Sequence, residues 1–434
     1  MDDQTGILGG EPDAELNVNS GLINSGSETQ ELGTVTIRFN GNNGSASIIA
    51  NGNLTAEKIK VEIDVTGNKW HFFCFPFDVP LSGVSTSGDK AYVFRHYNAA
   101  KRATGASGWE NLPNDQTVLK AGEGYIFQAN GKTTLTVEVD NKTTFVGKNV
   151  ATALKVQDAA NVANASWNFK GNPGYAYFDI DDLGFSAPIT VWDPNTNNYV
   201  ALRPGDDDAF LHPFQAFFVQ KPEGTDALTF NAEDRTTYLQ SQKTMANKVA
   251  RRRVASMVDN PRKLVNLTLT DGQTTDKTRV VFNDEKSMDY EMECDAAKFT
   301  STGVPQLYSL DSNNTHYAIN ERPYGDGTVR LGFTADKDGC FSIEAKRMDA
   351  KCYLRDLVNG TTHDLSTGAY NFESEMGTFE NRFVLINMSE ADGVNSISMD
   401  EIAEGAVIYD LQGRRVQHAQ RGIFIINGKK LNVK

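Results

Sequence analysis

The residues best suited to chemistry in this sequence are four tryptophans and two groups of aspartates. Trp109 and Trp192 sit beside polar turns, so they are candidates for an exposed aromatic face that stacks on a sugar ring. Trp70 and Trp167 each begin an apolar strand and are expected in the core. We therefore consider a carbohydrate site near Trp109 and Trp192, with purely structural packing of the aromatic residues as the alternative.

The two groups of aspartates could hold a cation. They are Asp179, Asp181 and Asp182 in the first group, and Asp206, Asp207 and Asp208 in the second. Neither group has the glycine and the later glutamate of an EF-hand loop, so solvated loops are the alternative to a calcium site. Nothing marks one acid as buried and another as exposed, so no pair of glycosidase carboxylates can be selected.

The sequence lacks the motifs of common hydrolases. It contains neither HExxH nor GxSxG, and its six histidines are scattered. Cys340 and Cys352 could form a disulfide if their strands are neighbours, with buried thiols as the alternative. A Cys74–His96 dyad would also need neighbouring strands and a third orienting group. The sequence therefore predicts no enzyme activity and no cofactor.

Composition limits the class of protein. The chain has 434 residues, enough for two to four domains, and 42 basic against 56 acidic residues give a net charge of −14. This charge argues against nucleic acid as a partner, and no apolar run is long enough for a transmembrane segment. Met1 is followed by two aspartates, without the pattern of a signal peptide, so we expect the natural chain to begin further upstream.

Short alternating strands separated by Gly- and Asn-rich turns predict an all-β fold of tandem β-sandwich or β-barrel-like domains. The predicted organisation is a disordered linker at 1–33, β-domains at 34–235, a linker at 236–262 that could be partly helical, a β-sandwich at 263–390 and a short β-module at 395–434.

An internal repeat occupies most of residues 34–235, with units at about 66–145 and 163–238. The segment WHFFCFPFD from Trp70 matches WNFKGNP from Trp167, at an offset of 97 residues. YVFRHYN from Tyr92 matches ITVWDPN from Ile189 at the same offset. The two units predict either two half-barrels or sandwiches, one for each unit, or one pseudo-symmetric β-domain that covers the open strand edges.

The C-terminal stretch predicts a terminal hairpin. Gly422–Ile426 and Leu431–Val433 flank Asn427-Gly428, a dipeptide that favours the tight turn of two-residue hairpins. A further short strand is expected at Ala406–Tyr409. An ordinary hairpin that closes a β-domain accounts for this spacing.

The residues of this stretch also suggest a function. YDLQGRR and GIFIINGKK resemble the C-terminal sorting module of proteins that Bacteroidetes secrete through the type IX system. The matching residues are Tyr409, Asp410, Gly413, Arg414, Gly422, Asn427 and Gly428. The resemblance implies a small β-sandwich that the outer-membrane secretion machinery recognises and that is usually removed during surface attachment. YAINERP, GCFSIEA and YLRDLVNGTTHDL are similar to the β-sandwich that often precedes such modules.

Together these features predict a cell-surface or secreted protein that binds or adheres without catalysis, or the surface-presentation region of a larger exported protein. The expected partners are a host or dietary glycan, mucin or a host surface protein, and the secretion machinery at the C-terminus. The alternatives are a carbohydrate-binding accessory region of a secreted glycan-degrading enzyme, a hydrolase that uses acids of the repeat domain, and a structural stalk.

Overall fold

The computed structural model describes residues 14–26, 29–39, 46–52, 54–206, 209–238, 240–246, 262–325, 327–387 and, further on, 395–397, 402, 407–409, 414–416, 422–426 and 429–433. The all-β prediction is confirmed, because strands account for nearly all the regular structure of these residues. No described helix is long and apolar enough to cross a membrane.

The strands fall into five groups along the chain. The N-terminal group is β1 to β5, at Glu15–Val18, Gly21–Asn24, Gln30–Phe39, Ser47–Ala50 and Leu54–Val65. The first repeat has β6 to β9 at His71–Cys74, Val79–Pro80, Val84–Thr86 and Tyr92–Tyr97, helix α1 at Ala99–Ala103, and β10 to β13 at Trp109–Asn111, Val118–Leu119, Gly124–Ala129 and Thr133–Thr144. The second repeat has β14 to β21, at Val150–Ala153, Trp167–Gly171, Phe178–Asp179, Ile189–Asp193, Asn198–Leu202, Phe210–Leu211, Ala216–Gln220 and Ala227–Phe230.

The fourth and fifth groups lie after residue 262. The fourth, here called the barrel domain, has β22 to β32, at Lys263–Thr270, Thr275–Phe282, Ala296–Ala297, Gln306–Leu310, His316–Arg322, Thr328–Ala335, Gly339–Met348, Cys352–Asp356, Thr361–Asp364, Tyr370–Ser374 and Gly377–Asn387. The C-terminal group has β33 to β37, at Asn395–Ile397, Ile408–Tyr409, Arg415–Val416, Gly422–Ile426 and Lys429–Val433. Single 3-10 turns occur at Leu81–Gly83, Val162–Asn164, Ile180–Asp182, Ala232–Asp234 and Leu365–Thr367.

The N-terminal sheet has the order β1-β3-β5-β13-β8. β3 alternates between the two faces, so that Val35, Ile37 and Phe39 point into the core while the residues between them do not. β1 pairs in parallel with β3, and β2 pairs in parallel with β4. The prediction of a disordered linker at 1–33 is therefore wrong for residues 15–24, where pairing with distant strands orders a segment that is polar in isolation.

The two repeats fold alike. The four-stranded sheet of the first repeat has the order β10-β9-β12-β6, and that of the second has the order β18-β17-β20-β15. Each repeat also has a two-stranded ribbon, formed by β7 and β11 in the first repeat and by β16 and β19 in the second. In both ribbons a 3-10 turn directly follows the first strand. The internal duplication thus extends to strand order and connection.

The barrel domain is one continuous sheet, with the order β30-β29-β32-β27-β25-β26-β23-β22-β28-β31 and β24 beside β26. A single apolar core draws on strands from both ends of this order, including Cys352 of β29 and Phe372 of β31, so the sheet curls around its core. Side chains join the two ends, since the Tyr370 hydroxyl lies 3.0 Å from that of Thr361. The predicted sandwich is thus a nearly closed barrel.

The described part of the segment between the repeats and the barrel domain begins with a helical stretch at residues 240–246. The Gln240 backbone N–H donates to the Thr237 hydroxyl over 3.3 Å, as at a helix N-cap.

Candidate functional site

Strand pairing fixes which residues of the two repeats are equivalent. Cys74 pairs with Gly124 in the first repeat, and Gly171 pairs with Ala216 in the second. The β6 and β15 strands therefore correspond at the offset of 97 predicted from the sequence. The next pair of strands, β9 and β17, does not share this offset. Arg95 pairs with Ile126 in the first repeat, and Thr190 pairs with Phe218 in the second. Arg95 and Thr190 are therefore equivalent, at an offset of 95 rather than 97.

The two repeats meet about a pseudo-two-fold axis. Phe73 of the first repeat bridges to Gln215 of the second, and Lys170 of the second bridges to Glu123 of the first. Phe73 is equivalent to Lys170 and Glu123 to Gln215, so the two bridges are the same contact made twice. This reciprocity defines one pseudo-symmetric unit, the second of the two arrangements that the sequence left open.

An aromatic cluster fills the interface between the repeats, and it contains both tryptophans predicted to bind sugar. Trp192 is 9% exposed, stacks on Phe72 at 5.7 Å, and donates its indole N–H to the Trp70 carbonyl over 2.6 Å. Trp109 is half-buried and packs edge-on against Phe169 at 5.2 Å. The predicted exposure of these residues is therefore wrong for Trp192 and partial for Trp109, because the other repeat covers them.

The core prediction for Trp70 and Trp167 is met by Trp167 alone. Trp167 is 3% exposed, whereas Trp70 is half-buried beneath the Arg95 guanidinium, 4.9 Å from its ring.

The barrel domain closes one side of the same cluster. The Phe299 ring lies 4.8 Å from both Trp167 and Phe218. The Tyr290 hydroxyl donates to Gln220 Oε1 over 2.5 Å. Both side chains come from the connection between β23 and β25, so this connection ties the barrel domain to the repeats.

Two buried ionic groups strengthen that junction. The Lys298 ammonium lies 2.6 Å from Asp276, with both side chains at most 2% exposed, and Asn198 of the second repeat donates to the same carboxylate over 2.8 Å. Glu321, whose side chain is 1% exposed, pairs with Arg203 of the second repeat and with Arg262. Hydrogen bonds from Arg262, Asn283 and Arg203 outweigh its burial and lower the pKa of the Glu321 carboxyl to about 2.

A large cleft, here called cleft A, has a volume of about 690 Å³ and lies between the two repeats. The N-terminal sheet contributes Phe39 to its wall, and the helical stretch contributes Gln242 and Met245. At its centre, the Gln215 amide oxygen accepts a hydrogen bond from the His212 backbone N–H over 3.0 Å. The His212 side chain is exposed to solvent within the cleft.

Cleft B, of about 400 Å³, is the pseudo-symmetric counterpart of cleft A. Asn168, Phe169 and Lys170 line it at the positions equivalent to His71, Phe72 and Phe73 of cleft A. Glu123 stands in cleft B where Gln215 stands in cleft A.

The two clefts differ in charge. In cleft B the Lys170 ammonium lies 2.5 Å from the Glu123 carboxylate. In cleft A the equivalent pair is Phe73 and Gln215, neither of which is charged. Burial lowers the pKa of the His71 imidazole, and the surrounding walls lower that of His212, so both rings are neutral at pH 7.

The charged side chains of cleft A are Asp64, Lys132 and Asp193. Asp64 and Lys132 are exposed to solvent, and the Thr134 hydroxyl donates to Asp64 over 2.8 Å. Asp193 accepts hydrogen bonds of 2.9 Å from the Asn195 backbone N–H and from the Thr196 hydroxyl. Asp64 is thus held by the neighbouring strand, and Asp193 is held within its own loop.

The aspartates predicted as cation ligands serve other contacts. Asp179 accepts the Asp181 backbone N–H over 3.1 Å and begins the 3-10 turn, while Asp181 accepts the backbone N–H of Gly205. Asp206 lies 2.8 Å from the Arg279 guanidinium of the barrel domain. No set of three or more acidic, histidine or cysteine side chains is placed to hold a metal among the described residues, which include Asp182 but not Asp207 and Asp208.

Both cysteine arrangements considered from the sequence are absent. All four cysteines are free thiols, and β28 with Cys340 does not pair with β29, which holds Cys352. β12 separates β6 from β9, so Cys74 and His96 do not lie on neighbouring strands. Burial raises the pKa of the Cys74 thiol to about 12, which opposes thiolate formation.

The C-terminal hairpin is present as β36 and β37, in which Ile426 pairs with Lys429 across two residues. β34 pairs with β36, which places Tyr409 opposite Ile425 and leaves the Tyr409 side chain 36% exposed. Arg414 is also exposed, and Gly422 begins β36. Asp410, Gly413, Asn427 and Gly428 of the sorting-like motif lie outside the described residues.

These features define a class: an all-β protein in which a duplicated sheet unit is joined to a nearly closed barrel. The model of a family described as a domain of unknown function (DUF8693) matches residues 178–387, from the second repeat to the last barrel strand. The minor fimbrium subunit Mfa5 of Porphyromonas gingivalis is 31% identical over 150 residues, which cover 32% of this chain. The chain covers 12% of that protein's length, and no solved structure matches the chain.

Proposed function

We propose that this chain is a non-catalytic binding region of a bacterial surface protein, with adhesion as its role. The similarity to a fimbrial subunit of a Bacteroidetes species carries this proposal. The all-β architecture fits it, since rigid β-domains are common scaffolds on which binding surfaces are displayed.

Adhesion can be tested with the purified chain and with intact bacteria. The chain coated on beads should adhere to mucin or epithelial surfaces, and an antibody against it should label unpermeabilised cells of the source bacterium. Labelling only after the cells are permeabilised would contradict surface exposure, and beads that adhere no better than albumin-coated beads would contradict the binding role.

The sorting-like motif supports a second part of the proposal, in which the C-terminal module delivers the chain to the surface through a type IX system. β33 to β37 form a sheet of their own, and the core of the barrel domain draws on residues 265–385. Removal of residues 395–434 should therefore leave the barrel stable but retain the protein inside the cell. Normal surface labelling of the truncated protein would exclude this route.

A structural spacer is the second candidate function. The aromatic cluster and the ionic groups around Asp276 and Glu321 favour it, because they join the barrel domain to the repeats with buried contacts. A spacer would present another domain without binding a ligand, so it predicts intact surface labelling together with no adhesion by the isolated chain.

A further inference from the structure

We infer that cleft A binds a neutral sugar residue, with His212 and Gln215 as the groups that recognise its hydroxyls. This inference rests on the proposed binding function and names its site and ligand class. It replaces Trp109 and Trp192 as the sugar-binding residues.

The internal repeat provides the first argument, since cleft B serves as a comparison within the same molecule. Equivalent positions carry the Lys170–Glu123 ion pair in cleft B and the uncharged Phe73 and Gln215 in cleft A. The ion pair partly occupies cleft B, which has about 400 Å³ against 690 Å³ in cleft A. Cleft A is therefore the larger of the two, and it lacks a charged pair at its centre.

The hydrogen-bonding groups of cleft A provide the second argument. The Gln215 amide oxygen is held by the His212 backbone, and its NH2 group has no hydrogen-bond partner among the described residues. The His212 ring likewise has none within the described chain, and a neutral imidazole offers one donor and one acceptor. Sugar hydroxyls both donate and accept hydrogen bonds, so they match this combination better than an ion does.

The hydrogen bonds already made by the carboxylates of cleft A provide the third argument. A charged ligand in this cleft would lose hydration, and both acids that line it already accept hydrogen bonds, Asp64 from Thr134 on the adjacent strand and Asp193 from its own loop. The neighbouring walls include the half-buried side chains of Tyr238 and Met245, which can cover the C–H face of a pyranose ring. The volume of cleft A lies within the range of about 300–1,000 Å³ that small-molecule sites occupy.

The repeat also supplies a matched pair of variants. Gln215→Glu places in cleft A the residue that cleft B has, with the same shape and with an oxygen that still accepts the His212 N–H. Glu123→Gln makes the reverse change in cleft B. His212→Ala removes an exposed ring, so it should leave the fold intact.

The experiment is an array of neutral, sialylated and sulfated oligosaccharides, followed by titration calorimetry with the best neutral ligand. Wild type and Glu123→Gln should bind neutral glycans equally, whereas Gln215→Glu and His212→Ala should each weaken binding at least about tenfold. Near-UV circular dichroism and the melting temperature of each variant show whether it is folded.

Each other outcome overturns a defined part of the inference. Neutral-glycan binding that survives both cleft A variants places the site elsewhere, and binding of acidic glycans alone overturns the ligand class. Adhesion to mucin or cells without any glycan binding rejects this inference but keeps the proposed function. No adhesion of any kind rejects the proposed function itself.

Discussion

Cys74 and Gly171 occupy equivalent positions in the two repeats and face each other across the pseudo-two-fold axis. A Cβ atom at residue 171 would overlap both Cβ and Sγ of Cys74, and it would approach the Gln215 carbonyl to 2.9 Å. The axis therefore has room for one side chain and not for two. One copy of the repeat carries the thiol, and the other must carry glycine.

Gly171→Ala should lower the free energy of unfolding by about 1–3 kcal/mol, because the added methyl group overpacks the interface between the repeats. Gly339→Ala is the matched control, since a Cβ there would meet nothing within 4 Å, and its effect should be small. Urea unfolding followed by tryptophan fluorescence measures both. The exchange variant Cys74→Gly with Gly171→Cys should recover part of the loss, and no recovery would show that the two positions are not interchangeable.

Trp192→Ala should destabilise the protein by about 3–5 kcal/mol, because it empties the centre of the aromatic cluster and leaves the Trp70 carbonyl without its donor. Trp192→Phe should cost less, since the ring remains and only the indole N–H is lost. Thermal unfolding of both variants tests this order. A fully stable Trp192→Ala protein with impaired glycan binding would instead restore Trp192 as a ligand-binding residue.

Asp276→Asn should destabilise the protein more than Lys298→Met, although both substitutions break the same buried ion pair. Without the Asp276 carboxylate, the Lys298 ammonium keeps one other hydrogen bond, to the Lys277 carbonyl at 3.0 Å. Without Lys298, Asp276 still accepts from Asn198 and from the Leu307 backbone N–H. We expect Asp276→Asn to lower the free energy of unfolding by about 3–5 kcal/mol, as measured by urea unfolding. Equal losses in the two variants would contradict this account.

Glu321 should make the stability of the protein fall at acidic pH. The pKa of its carboxyl is about 2 when folded, below its ordinary value of 4.5, so the folded state favours the ionised form. Its contribution is therefore complete above about pH 4.5 and is lost as the pH falls towards 2. Glu321→Gln should be destabilised at pH 7, with a smaller further loss between pH 4.5 and pH 2 than wild type.

Unfolding curves at pH 7 and pH 3 distinguish the Glu321 variant from a control. Glu344→Gln removes a carboxylate that is 42% exposed and paired only with an exposed lysine, so it should change stability little at either pH. Parallel losses for wild type and Glu321→Gln over the acid range would assign the acid sensitivity to other groups.

The repeat was predictable from sequence because Trp70 and Trp167 begin equivalent strands, and an offset of 97 fits β6 and β15 well. The same offset fails by two residues at β9 and β17, since the connections that precede these strands differ in length. The burial of Trp192 could not be predicted, because part of the surrounding cluster, such as Phe299, comes from distant parts of the chain.

Cleft A could not be predicted from the sequence either. His212 and Gln215 carry no motif, and their meaning becomes visible only when strand pairing aligns Gln215 with Glu123. The sequence signal that could have found them is a charge difference at equivalent repeat positions, since strand pairing aligns Glu123 with Gln215 at an offset of 92. The strands at 15–24 were missed because their order depends on parallel pairing with β3 and β4.

The reciprocal bridges of Phe73 with Gln215 and of Lys170 with Glu123 have an evolutionary consequence. An interface in which each copy offers the same surface to the other is the interface of a symmetric homodimer. Duplication and fusion of a gene for a single repeat that assembles in pairs would produce this arrangement on one chain. With both halves on one chain, a mutation does not have to suit both sites at once, so one cleft can have Phe73 and Gln215 where the other has the Lys170–Glu123 ion pair.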